Sequence, residues 1–477
     1  AELTGYPGTP TRDTLTMCVV HSAPPFAGSF ACSNELLNRL WRNIQWGQRS
    51  NLHSVPTDCP QRDERLGWMG DAQTFAPTAC WNMEMVSFWS KWMRDIIDSQ
   101  GEDGHVTDVA PVAVVSGPAA PGWGDAVVVI PWTSYQFYGD KRIIVDNYDG
   151  MKKWIEYMRR NAPGDLYERE GYGDWIAPVE SPKKPIGAAY YYYSTKLFSR
   201  MAAAIGRADD AKQYGELADR IAKAFNDKYL DKATNWYPGK TQTANILPLW
   251  FGITPPDRRG AALKNVVDDI AQRGGHLSTG FLGTAYLLPL LADNGFPDVA
   301  YGVATRTTYP SWGYMIEKGA TTIWELWDSD KKGPDMNSRN HFALGGCGQW
   351  LYESLGGINI DPEGPGFKRI IIRPQPADGL EFARADYPSP YGRIRSAWRR
   401  EGDALRLDIT IPANTTARVC VPTLGRANAT VTEGGKPVAA GRASATAVPG
   451  IRFVEATTGA AVFDIAAGQY AFRVEPP

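Results

Sequence analysis

Apolar residues recur at helical spacing through most of the chain from Ser33 to about residue 356. Ser33 and Asn34 predict an N-cap for a helix that the apolar positions from Leu36 to Ile44 extend to about Arg49. The same spacing predicts helices at Met85–Ile97, Asn147–Met158, Ala188–Ile205, Ala208–Phe225, Arg258–Gln272, Gly280–Leu291 and Phe342–Leu355. Long loops rich in Gly, Pro, Trp and Asp separate them at Pro111–Asp125, Arg169–Pro185, Thr308–Thr322 and Asp328–Arg339. Helices joined by such loops favour a helical toroid whose loops form a site at one end.

A different pattern begins after Gly356 and Gly357. Short runs of β-branched or alternating residues predict strands at Arg369–Arg373, Gly392–Trp398, Ala404–Thr410, Ala417–Val421, Ala429–Thr432, Ile451–Val454 and Tyr470–Val474. Gly402–Asp403 and Gly434–Gly435 are candidate hairpin turns. The C-terminal region is therefore predicted to be an all-β domain, a sandwich.

The N-terminal segment Ala1–Phe30 is rich in Pro, Gly and Thr, with a β-like run at Thr14–Val20. We predict a strand and a connector there, left over from an upstream region. Because the chain opens on Ala1 rather than Met, we expect that it is processed or cut from a longer protein. The predicted division is 1–30 as N-terminal connector, 31–357 as helical domain and 358–477 as β domain.

The composition narrows the class of protein. Of 477 residues, 43% are hydrophobic and 21% charged, which excludes collagen-like, coiled-coil and mainly disordered chains. The formal net charge of -2 gives no basis for a nucleic-acid partner. No apolar run approaches the roughly 18–20 residues that would span a membrane, so we expect a soluble protein; cytoplasm, periplasm and secretion stay open as its location, as does its oligomeric state. Aromatic residues make up 12%, and since indole faces pack well on the C–H faces of sugar rings, this excess is a hint of carbohydrate.

The densest group of ionisable residues is the segment DCPQRDERLGWMGD, from Asp58 to Asp71. Its carboxylates are Asp58, Asp63, Glu64 and Asp71, interleaved with Arg62, Arg65 and Trp68. Carboxylates this close repel one another and raise the pKa of at least one, while the arginines keep others ionised, as acid–base catalysis requires. We predict a loop that leads into a short helix at Asp71–Ala79. The alternative is a surface network of Arg–Asp pairs, each of little value to stability.

A second acidic group surrounds Glu325, which Trp324 and Trp327 flank in sequence and Trp312 precedes. A carboxylate between aromatic rings is partly desolvated, so its affinity for a proton rises. In the alternative interpretation the indoles belong to a helix core and Glu325 points into water. The sequence leaves both interpretations open at this point.

Further acidic–aromatic pairs occur in the long loops, as Trp123-Gly-Asp125 and Asp174-Trp175. Each pair is also compatible with a turn in which the Asp accepts backbone N–H bonds. Together they predict a cleft with a floor of Trp and hydrogen-bonding Asp groups, suited to a polyhydroxylated ring. His341 is the histidine nearest this chemistry, although a lone histidine is more often a structural hydrogen-bonding residue than a ligand.

No cofactor is predicted. The other histidines share no metal-ligand spacing with His341, and the six cysteines include no C-x-x-C pair, so we predict no catalytic zinc. A structural calcium among the acidic loops has no support in the sequence. There is no G-x-S-x-G elbow, no Walker loop and no dinucleotide fingerprint.

The segment from Asp58 to Asp71, with GATTIWE ending at Glu325 downstream, resembles the α-L-rhamnosidases of glycoside hydrolase family 78. Supporting segments are Trp123-Gly-Asp125, HLSTGFLGT from His276, and SRNH ending at His341. The resemblance covers roughly residues 29 to 425. It implies a mainly α fold, an (α/α)6 barrel followed by a C-terminal antiparallel β-sandwich.

The resemblance also implies an inverting hydrolase that removes terminal α-L-rhamnose from a glycoside or oligosaccharide. Glu64 matches the general acid and Glu325 the general base, and inversion needs their carboxyl groups about 6.5–9.5 Å apart. The family's rhamnose-holding positions match Asp58, Trp68, Asp71, Trp123, Trp175 and His341. We add Asp63, Asp125, Trp312 and Trp327 as candidate substrate-binding residues.

Two alternatives stay open. One is another (α/α)6 sugar hydrolase, such as an unsaturated uronyl hydrolase, in which Arg62 or Arg65 would face the sugar's carboxylate. The other is a catalytically inactive carbohydrate-binding relative, against which the presence of both Glu64 and Glu325 argues.

Overall fold

Helices dominate the chain up to residue 355 in the computed structural model, which describes residues 2–333, 338–426, 428–457 and 459–475. The α-helices are α1 (Glu35–Ser50), α2 (Met69–Asn82), α3 (Val86–Asp98), α4 (Ala126–Tyr138), α5 (Arg142–Arg160), α6 (Lys183–Ala204), α7 (Ala208–Tyr229), α8 (Gln242–Phe251), α9 (Arg259–Gln272), α10 (Phe281–Asp293), α11 (Pro297–Ala304), α12 (Trp312–Glu317) and α13 (Gly348–Trp350). A 3-10 turn at Ala343–Cys347 precedes α13, and a π-helical turn at Leu351–Leu355 follows it. Within the described ranges, no helix combines the length and the apolar character needed to cross a membrane.

The helices form an inner ring and an outer layer. α2, α4, α6, α8 and α10 contact one another in that order, and the segment 343–355 contacts both α10 and α2, which closes the ring. α3, α5, α7, α9 and α11 pack against these inner helices from outside. Inner helices are apolar around their whole circumference: in α4 only Trp132 and Tyr138 are not buried. Outer helices are amphipathic and bury one face.

Most of the predicted helices are confirmed, and so is the N-cap of α1, where Asn34 Oδ1 accepts the backbone N–H groups of Leu36 and Leu37. The periodicity does not show α4, α8, α11 or α12, and α12 lies inside the predicted loop Thr308–Thr322. The predicted helix Phe342–Leu355 is not one α-helix but a 3-10, α and π sequence of turns.

Two further predictions, the strand near the N-terminus and the loop that begins at Asp328, also differ from the structure or lie partly outside it. The predicted strand at Thr14–Val20 is wrong, because this stretch pairs with no strand among the described residues; the strand before α1 lies at Ser29–Cys32 instead. Of the predicted loop Asp328–Arg339, residues 334–337 lie outside the described residues, and Ser329–Lys331 form a 3-10 turn.

Two β-sheets make up most of the C-terminal region. The strands are β1 (Ser29–Cys32), β4 (Ile358–Ile360), β5 (Arg369–Ile372), β6 (Phe382–Ser389), β7 (Gly392–Glu401), β8 (Ala404–Ile411), β9 (Thr416–Pro422), β10 (Thr430–Glu433), β11 (Lys436–Ala440), β12 (Ala443–Ser444), β13 (Ile451–Ala456), β14 (Ala460–Ile465) and β15 (Gly468–Glu475); β2 (Leu52–His53) and β3 (Val55–Pro56) form a separate hairpin. One sheet has the order β1-β6-β7-β8-β15-β10-β11-β12 and the other β13-β14-β9-β5-β4. Pairing among the described strands is antiparallel except between β5 and β9, which run parallel, so the expectation of an antiparallel region needs this one correction.

The two sheets share an apolar interior. Phe463 of β14 stacks on Phe472 of β15, in the other sheet, with ring centroids 5.4 Å apart. The β7–β8 and β10–β11 hairpins turn at the two predicted glycine-containing sites. Ser29 of β1 pairs opposite Asp386 of β6, so the strand before α1 joins the C-terminal sheet and spans the predicted boundary at residue 30. The predicted domain boundaries stay predictions.

Aromatic residues join the end of the helical ring to the sheets. Trp81 of α2 stacks on Tyr352 at 5.1 Å and meets the rings of Phe367 and Tyr387 edge-on. Trp398 of β7 donates its indole N–H to the carbonyl of Leu355 at 2.7 Å. The inner ring and the first sheet therefore share one core at this junction.

Glu353, which lies at this junction, gives a prediction about stability. Burial and the neighbouring Asp293 raise the pKa of Glu353 to about 8, although its Oε1 accepts the indole N–H of Trp81 at 3.0 Å. Because the folded pKa lies above the ordinary value of 4.5, its contribution to stability is complete below about pH 4.5 and is lost as the pH rises through about 8. We therefore expect Glu353→Gln to be more stable than the unchanged protein at about pH 9, by at least about 1 kcal/mol after allowing for partial exposure, and no more stable at about pH 5.

Thermal unfolding at both pH values measures this difference. The exposed Glu381 provides the control, since Glu381→Gln should change the unfolding temperature only slightly, and by the same amount at both pH values. A difference for Glu353→Gln that does not vary with pH would contradict the prediction.

Candidate active site

One end of the helical ring carries a cavity of about 210 Å³. It is lined by Asp58, Arg62, Glu64, Trp68, Asp71, Trp123, Tyr172, Trp175, Phe281, Glu325 and His341. These residues come from the loops that precede α2, α4, α6 and the segment 343–355, or from the first turns of α2 and α10. The N-terminal ends of the inner helices therefore supply the cavity.

The loop 58–68 is shaped by its own backbone. The N–H of Asp58 donates to the carbonyl of Leu66, and the N–H of Leu66 donates to Asp58 Oδ1, both at 3.0 Å. Arg65 has a φ of 55°, so the chain turns sharply just after Glu64. At the start of α2, a Cβ on Gly70 would lie 2.4 Å from the indole of Trp123, so only glycine lets this ring pack so closely.

Arg62 joins the two candidate catalytic carboxylates. Its Nε and Nη2 donate to Glu64 Oε2 at 2.8 and 2.5 Å, and the same Nη2 lies 3.5 Å from Glu325 Oε2. Because both oxygens lie near one nitrogen, these two oxygens are at most about 6 Å apart. This limit applies to the one pair of oxygens that Arg62 bridges and not to the carboxyl groups as wholes, so the separation of about 6.5–9.5 Å expected for inversion stays a prediction. The indole N–H of Trp68 donates to the other oxygen of Glu64 at 2.9 Å. Two glutamates that are distant in sequence thus share one cavity.

Glu64 and its neighbour Asp58 have opposite pKa shifts. Burial alone would raise the pKa of Glu64, but hydrogen bonds from Asp58, Arg62 and Trp68 hold it below its usual range. Burial and the negative charge of Asp71 raise the pKa of Asp58 to about 7. In this geometry Glu64 therefore favours its ionised form, and Asp58 is the more readily protonated of the pair.

Buried hydrogen bonds fix Glu325 and His341. The N–H of Ser338 donates to Glu325 Oε2 at 3.0 Å, and the Glu325 side chain is only 4% exposed. His341 Nε2 lies 2.9 Å from Asp71 Oδ1, and both side chains are buried. Burial alone would lower the pKa of His341, but the hydrogen bond to Asp71 and the charges of Asp71 and Glu325 hold it above its usual value. These groups have little freedom to turn away from the cavity.

Aromatic rings form the rest of the lining. Tyr172 contacts Trp68, Trp123 and Trp175, with centroids 5.8, 4.9 and 6.0 Å away. The hydroxyl of Tyr172 donates to Asp108 Oδ2 at 3.1 Å, which anchors this group of rings. The cavity therefore combines ionic hydrogen-bonding groups with apolar ring faces, as recognition of a small ring with hydroxyl edges and C–H faces requires.

Asp174 supports this wall from behind. Its carboxylate accepts three backbone N–H groups of residues 280–283, at 2.7–3.1 Å, and the hydroxyl of Thr243 at 2.5 Å. A carboxylate there satisfies the free N–H groups of the first turn of α10 and complements its dipole. A Cβ on Gly280 would lie 2.1 Å from the carbonyl of Trp175, so this close approach of loop and helix requires glycine. Asp174 is thus a cap that positions Trp175, as the turn interpretation of this pair predicted.

The structure brings eight of the predicted site residues into the cavity, namely Asp58, Glu64, Trp68, Asp71, Trp123, Trp175, Glu325 and His341. Four others lie outside it. Asp63 points into solvent beside Arg65 with its side chain fully exposed. Asp125 is buried and accepts hydrogen bonds from Ser194 Oγ and the N–H of Gly122, which shape the turn before α4.

Trp312 and Trp327 are the remaining two predicted residues outside the cavity. They meet edge-on with centroids 5.4 Å apart, and their indole N–H groups donate to the carbonyls of Leu344 and Thr279. Both are buried core residues. The alternative that placed Trp324 and Trp327 in a helix core is right about their burial, but both lie outside the helices, and Glu325 faces the cavity rather than water.

Three lining residues are absent from the sequence-based list of site residues, namely Arg62, Tyr172 and Phe281. Arg62 lies inside the acidic segment and Phe281 inside HLSTGFLGT, so both could have been found from the motifs. Tyr172 carries no such signal, because only the folded loop brings its ring between three indoles.

One group of potential metal ligands occurs among the described residues, with atoms of Asp58, Cys59 and His341 within 4.8 Å of one another. These residues do not fit a metal. His341 Nε2 is already bonded to Asp71, and burial together with the charge of Asp58 raises the pKa of the Cys59 thiol far above its usual value. The thiol is therefore protonated, whereas metal ligation needs a thiolate.

The chain matches two family models. Residues 25–355 match the model described as the bacterial alpha-L-rhamnosidase 6 hairpin glycosidase domain, and residues 357–436 match the bacterial alpha-L-rhamnosidase C-terminal domain. An alpha-L-rhamnosidase of Streptomyces avermitilis is 41% identical over 99% of this chain, and one of Formosa agariphila is 37% identical over 88%. The chain spans less than half of each relative, 44% and 47%.

Solved structures agree with these matches. An alpha-L-rhamnosidase from Dictyoglumus thermophilum has a TM-score of 0.93 and 37% identity, covering 99% of this chain and 53% of that one. The Streptomyces avermitilis alpha-L-rhamnosidase complexed with L-rhamnose has a TM-score of 0.91 and 40% identity, covering 99% of this chain and 44% of that one. The matched segment 25–355 contains every residue that lines the cavity. The chain therefore belongs to the bacterial α-L-rhamnosidases, glycoside hydrolase family 78.

Proposed function

We propose that this chain carries the catalytic unit of an exo-acting α-L-rhamnosidase, which hydrolyses terminal α-L-rhamnose from glycosides or oligosaccharides. The observation that carries the proposal is the meeting of Glu64 and Glu325 in one aromatic-lined cavity through Arg62. A relative that is 40% identical over nearly the whole chain has been solved with L-rhamnose bound. The cavity, about 210 Å³, is smaller than the roughly 300–1,000 Å³ of pockets for drug-sized ligands, which favours a single terminal sugar.

We further infer that the helical region is an (α/α)6 barrel and the C-terminal region a β-sandwich. The closed order of the inner helices, with α3, α5, α7, α9 and α11 packed outside α4, α6, α8 and α10, supports the barrel. The stacking of Phe463 on Phe472 between the sheets supports the sandwich. In such a barrel the loops at the N-terminal ends of the inner helices form the catalytic end.

The proposed mechanism divides the work between the glutamates. Glu64 donates a proton to the glycosidic oxygen, and Glu325 removes a proton from a water molecule that attacks the anomeric carbon from the opposite face. Inversion at that carbon follows from a single displacement. The buried bond between Ser338 and Glu325 keeps the proposed base aimed into the cavity.

Selectivity is expected to come from hydroxyl contacts more than from the 6-methyl group of rhamnose. Burying one methyl against an indole contributes only about 1–3 kcal/mol of discrimination. The aspartates Asp58 and Asp71 lie in the lining and are the candidate hydrogen-bonding partners of the sugar hydroxyls.

The uronyl hydrolase alternative is disfavoured by charge. Of the two cations that could meet a sugar carboxylate, Arg62 is already paired with Glu64 and close to Glu325, and Arg65 lies outside the cavity beside the exposed Asp63. The lining holds four carboxyl groups, so a uronate would enter an acidic cavity.

Assay of a panel of nitrophenyl glycosides tests the function, and NMR analysis of the first-formed product anomer tests the stereochemistry. We expect turnover of the α-L-rhamnoside alone, with β-L-rhamnose as the first product. We also expect no loss of activity with EDTA, because no metal takes part in the proposal. Turnover of uronates alone would contradict the function, and α-L-rhamnose as the first product would contradict inversion only.

A further inference from the structure

Arg62 contacts both glutamates and still has an unused donor. Its Nη1 is buried and has no hydrogen-bond partner in the part of the chain that the structure describes. Its Nη2 donates to Glu64 at 2.5 Å and lies 3.5 Å from Glu325 Oε2, just beyond hydrogen-bond distance. A small movement of the guanidinium would therefore exchange one carboxylate partner for the other.

The geometry around Glu64 conflicts with the role of an acid. Three N–H donors, two from Arg62 and one from Trp68, point at its carboxylate oxygens. Donors arranged in this way stabilise the ionised form, whereas a general acid must hold a proton. Trp68 can remain in place when Glu64 is protonated, since its one bond leaves the other oxygen free. Arg62 opposes that proton more strongly, because both of its bonds end on that other oxygen and its guanidinium carries a positive charge.

We propose that Arg62 is a positioning residue that switches between the two glutamates, pairing with Glu64 in the free enzyme and with Glu325 when a sugar fills the cavity. The switch releases Glu64 to act as the acid and keeps the guanidinium paired throughout. This inference rests on the proposed function.

The proton that Glu64 needs has a nearby source. Asp58 lines the same cavity as Glu64, and burial raises the pKa of Asp58 to about 7 whereas the pKa of Glu64 is held below its usual range, so Asp58 is the more readily protonated of the two. When Arg62 leaves, the proton passes from the Asp58 carboxyl to the Glu64 carboxylate and then to the glycosidic oxygen, and Asp58 is left ionised beside His341. The pair therefore titrates as one unit that holds one proton in the active state.

Other titratable groups face this unit from each neighbouring segment. They are Cys59 from the acidic loop, Asp71 from α2, Tyr172 from the loop before α6, and Glu325 and His341 from the segment before residue 343. Arg62 is the group that lies within ion-pair distance of both glutamates in the described ranges. Its movement therefore changes the electrostatic field at Glu64 more directly than any of these.

The test compares two pH profiles of rhamnoside hydrolysis. The kcat/KM profile reports the free enzyme and the kcat profile the substrate complex. Because Arg62 leaves Glu64 in the complex, the alkaline limb of kcat should lie at higher pH than that of kcat/KM, by about one pH unit. This comparison needs no variant, and coincident limbs in the unchanged enzyme would overturn the proposal.

Variants sharpen the comparison. In Arg62→Gln the alkaline limb of kcat/KM should move up towards that of kcat, so the pH difference between the two limbs, here called the gap, should close. Arg62→Lys should retain part of this gap. Arg65→Gln is the matched control, since Arg65 lies in the same loop but is exposed beside Asp63, and it should keep the full gap. A full gap in Arg62→Gln would overturn the switch. Absence of any rhamnoside turnover would instead overturn the proposed function, so the two failures are distinct.

Discussion

Replacing Glu325 with glutamine should lower kcat on an aryl α-L-rhamnoside by about 10²–10⁴-fold, the range typical for loss of a general base. The amide has the same shape, so its oxygen can still accept the N–H of Ser338 at the position that Oε2 now holds. It cannot, however, take a proton from water at ordinary pH. The loss should therefore fall on kcat while KM changes little.

A small anion separates a lost base from a disturbed fold. Azide needs no deprotonation to attack, so it should restore turnover of Glu325→Gln and yield β-L-rhamnosyl azide, the inverted product. The exposed Glu317 gives a matched control, because Glu317→Gln should leave kcat unchanged. Unchanged turnover in Glu325→Gln would remove this residue from the mechanism.

Replacing Glu64 with glutamine should produce a loss that depends on the leaving group. For rhamnosides with a poorly acidic aglycone we expect kcat/KM to fall by about 10²–10⁴-fold, because the departing oxygen then needs a proton. For an aryl group that leaves readily as its anion, the loss should be much smaller. The measurement is kcat/KM for a series of aryl rhamnosides, plotted on a logarithmic scale against the pKa of the leaving phenol. The slope should be steeper for Glu64→Gln than for the unchanged enzyme.

Two neighbouring carboxylates act as controls for this experiment. Asp63 adjoins Glu64 but points fully into solvent, so Asp63→Asn should keep both the rate and the slope. Asp58 is the more readily protonated of the pair, because burial raises its pKa to about 7, and it is therefore the competing acid. If Asp58→Asn shows the steep slope and Glu64→Gln does not, the role of the acid belongs to Asp58.

The sequence predicts the outer helices except the short α11, whereas of the inner helices it predicts α6 and α10 and misses α4 and α8. In outer helices such as α5 and α7, polar and apolar residues alternate with the helical period, so the sequence pattern reveals the helix. The inner helices α4 and α8 are apolar on all sides and contain Pro131 and Pro248, so they show neither a stripe nor an unbroken helical segment. Their helical conformation is stabilised by neighbours on every side of the ring, which a local pattern does not contain.

The candidate site shows the same division. The acidic segment places Asp58, Glu64, Trp68 and Asp71 in one cavity because a short loop and the first turn of one helix keep them together. Both Trp175 and Trp312 were candidate substrate-binding residues, yet one lines the cavity and the other lies in the core. Which way an indole points depends on what packs against the element that carries it.

The sequence by itself determined the chemical groups, the change from a helical to a β region, and the resemblance that links Glu64 with Glu325, since all three are written in local order and spacing. The tertiary structure alone decided which helices form the inner ring, that Arg62 lies between the two glutamates, and that Asp58 is more readily protonated than Glu64 in this geometry. The physical reason is that burial and charge act through space. A protonation state is set by neighbours that the chain brings together only when it is folded.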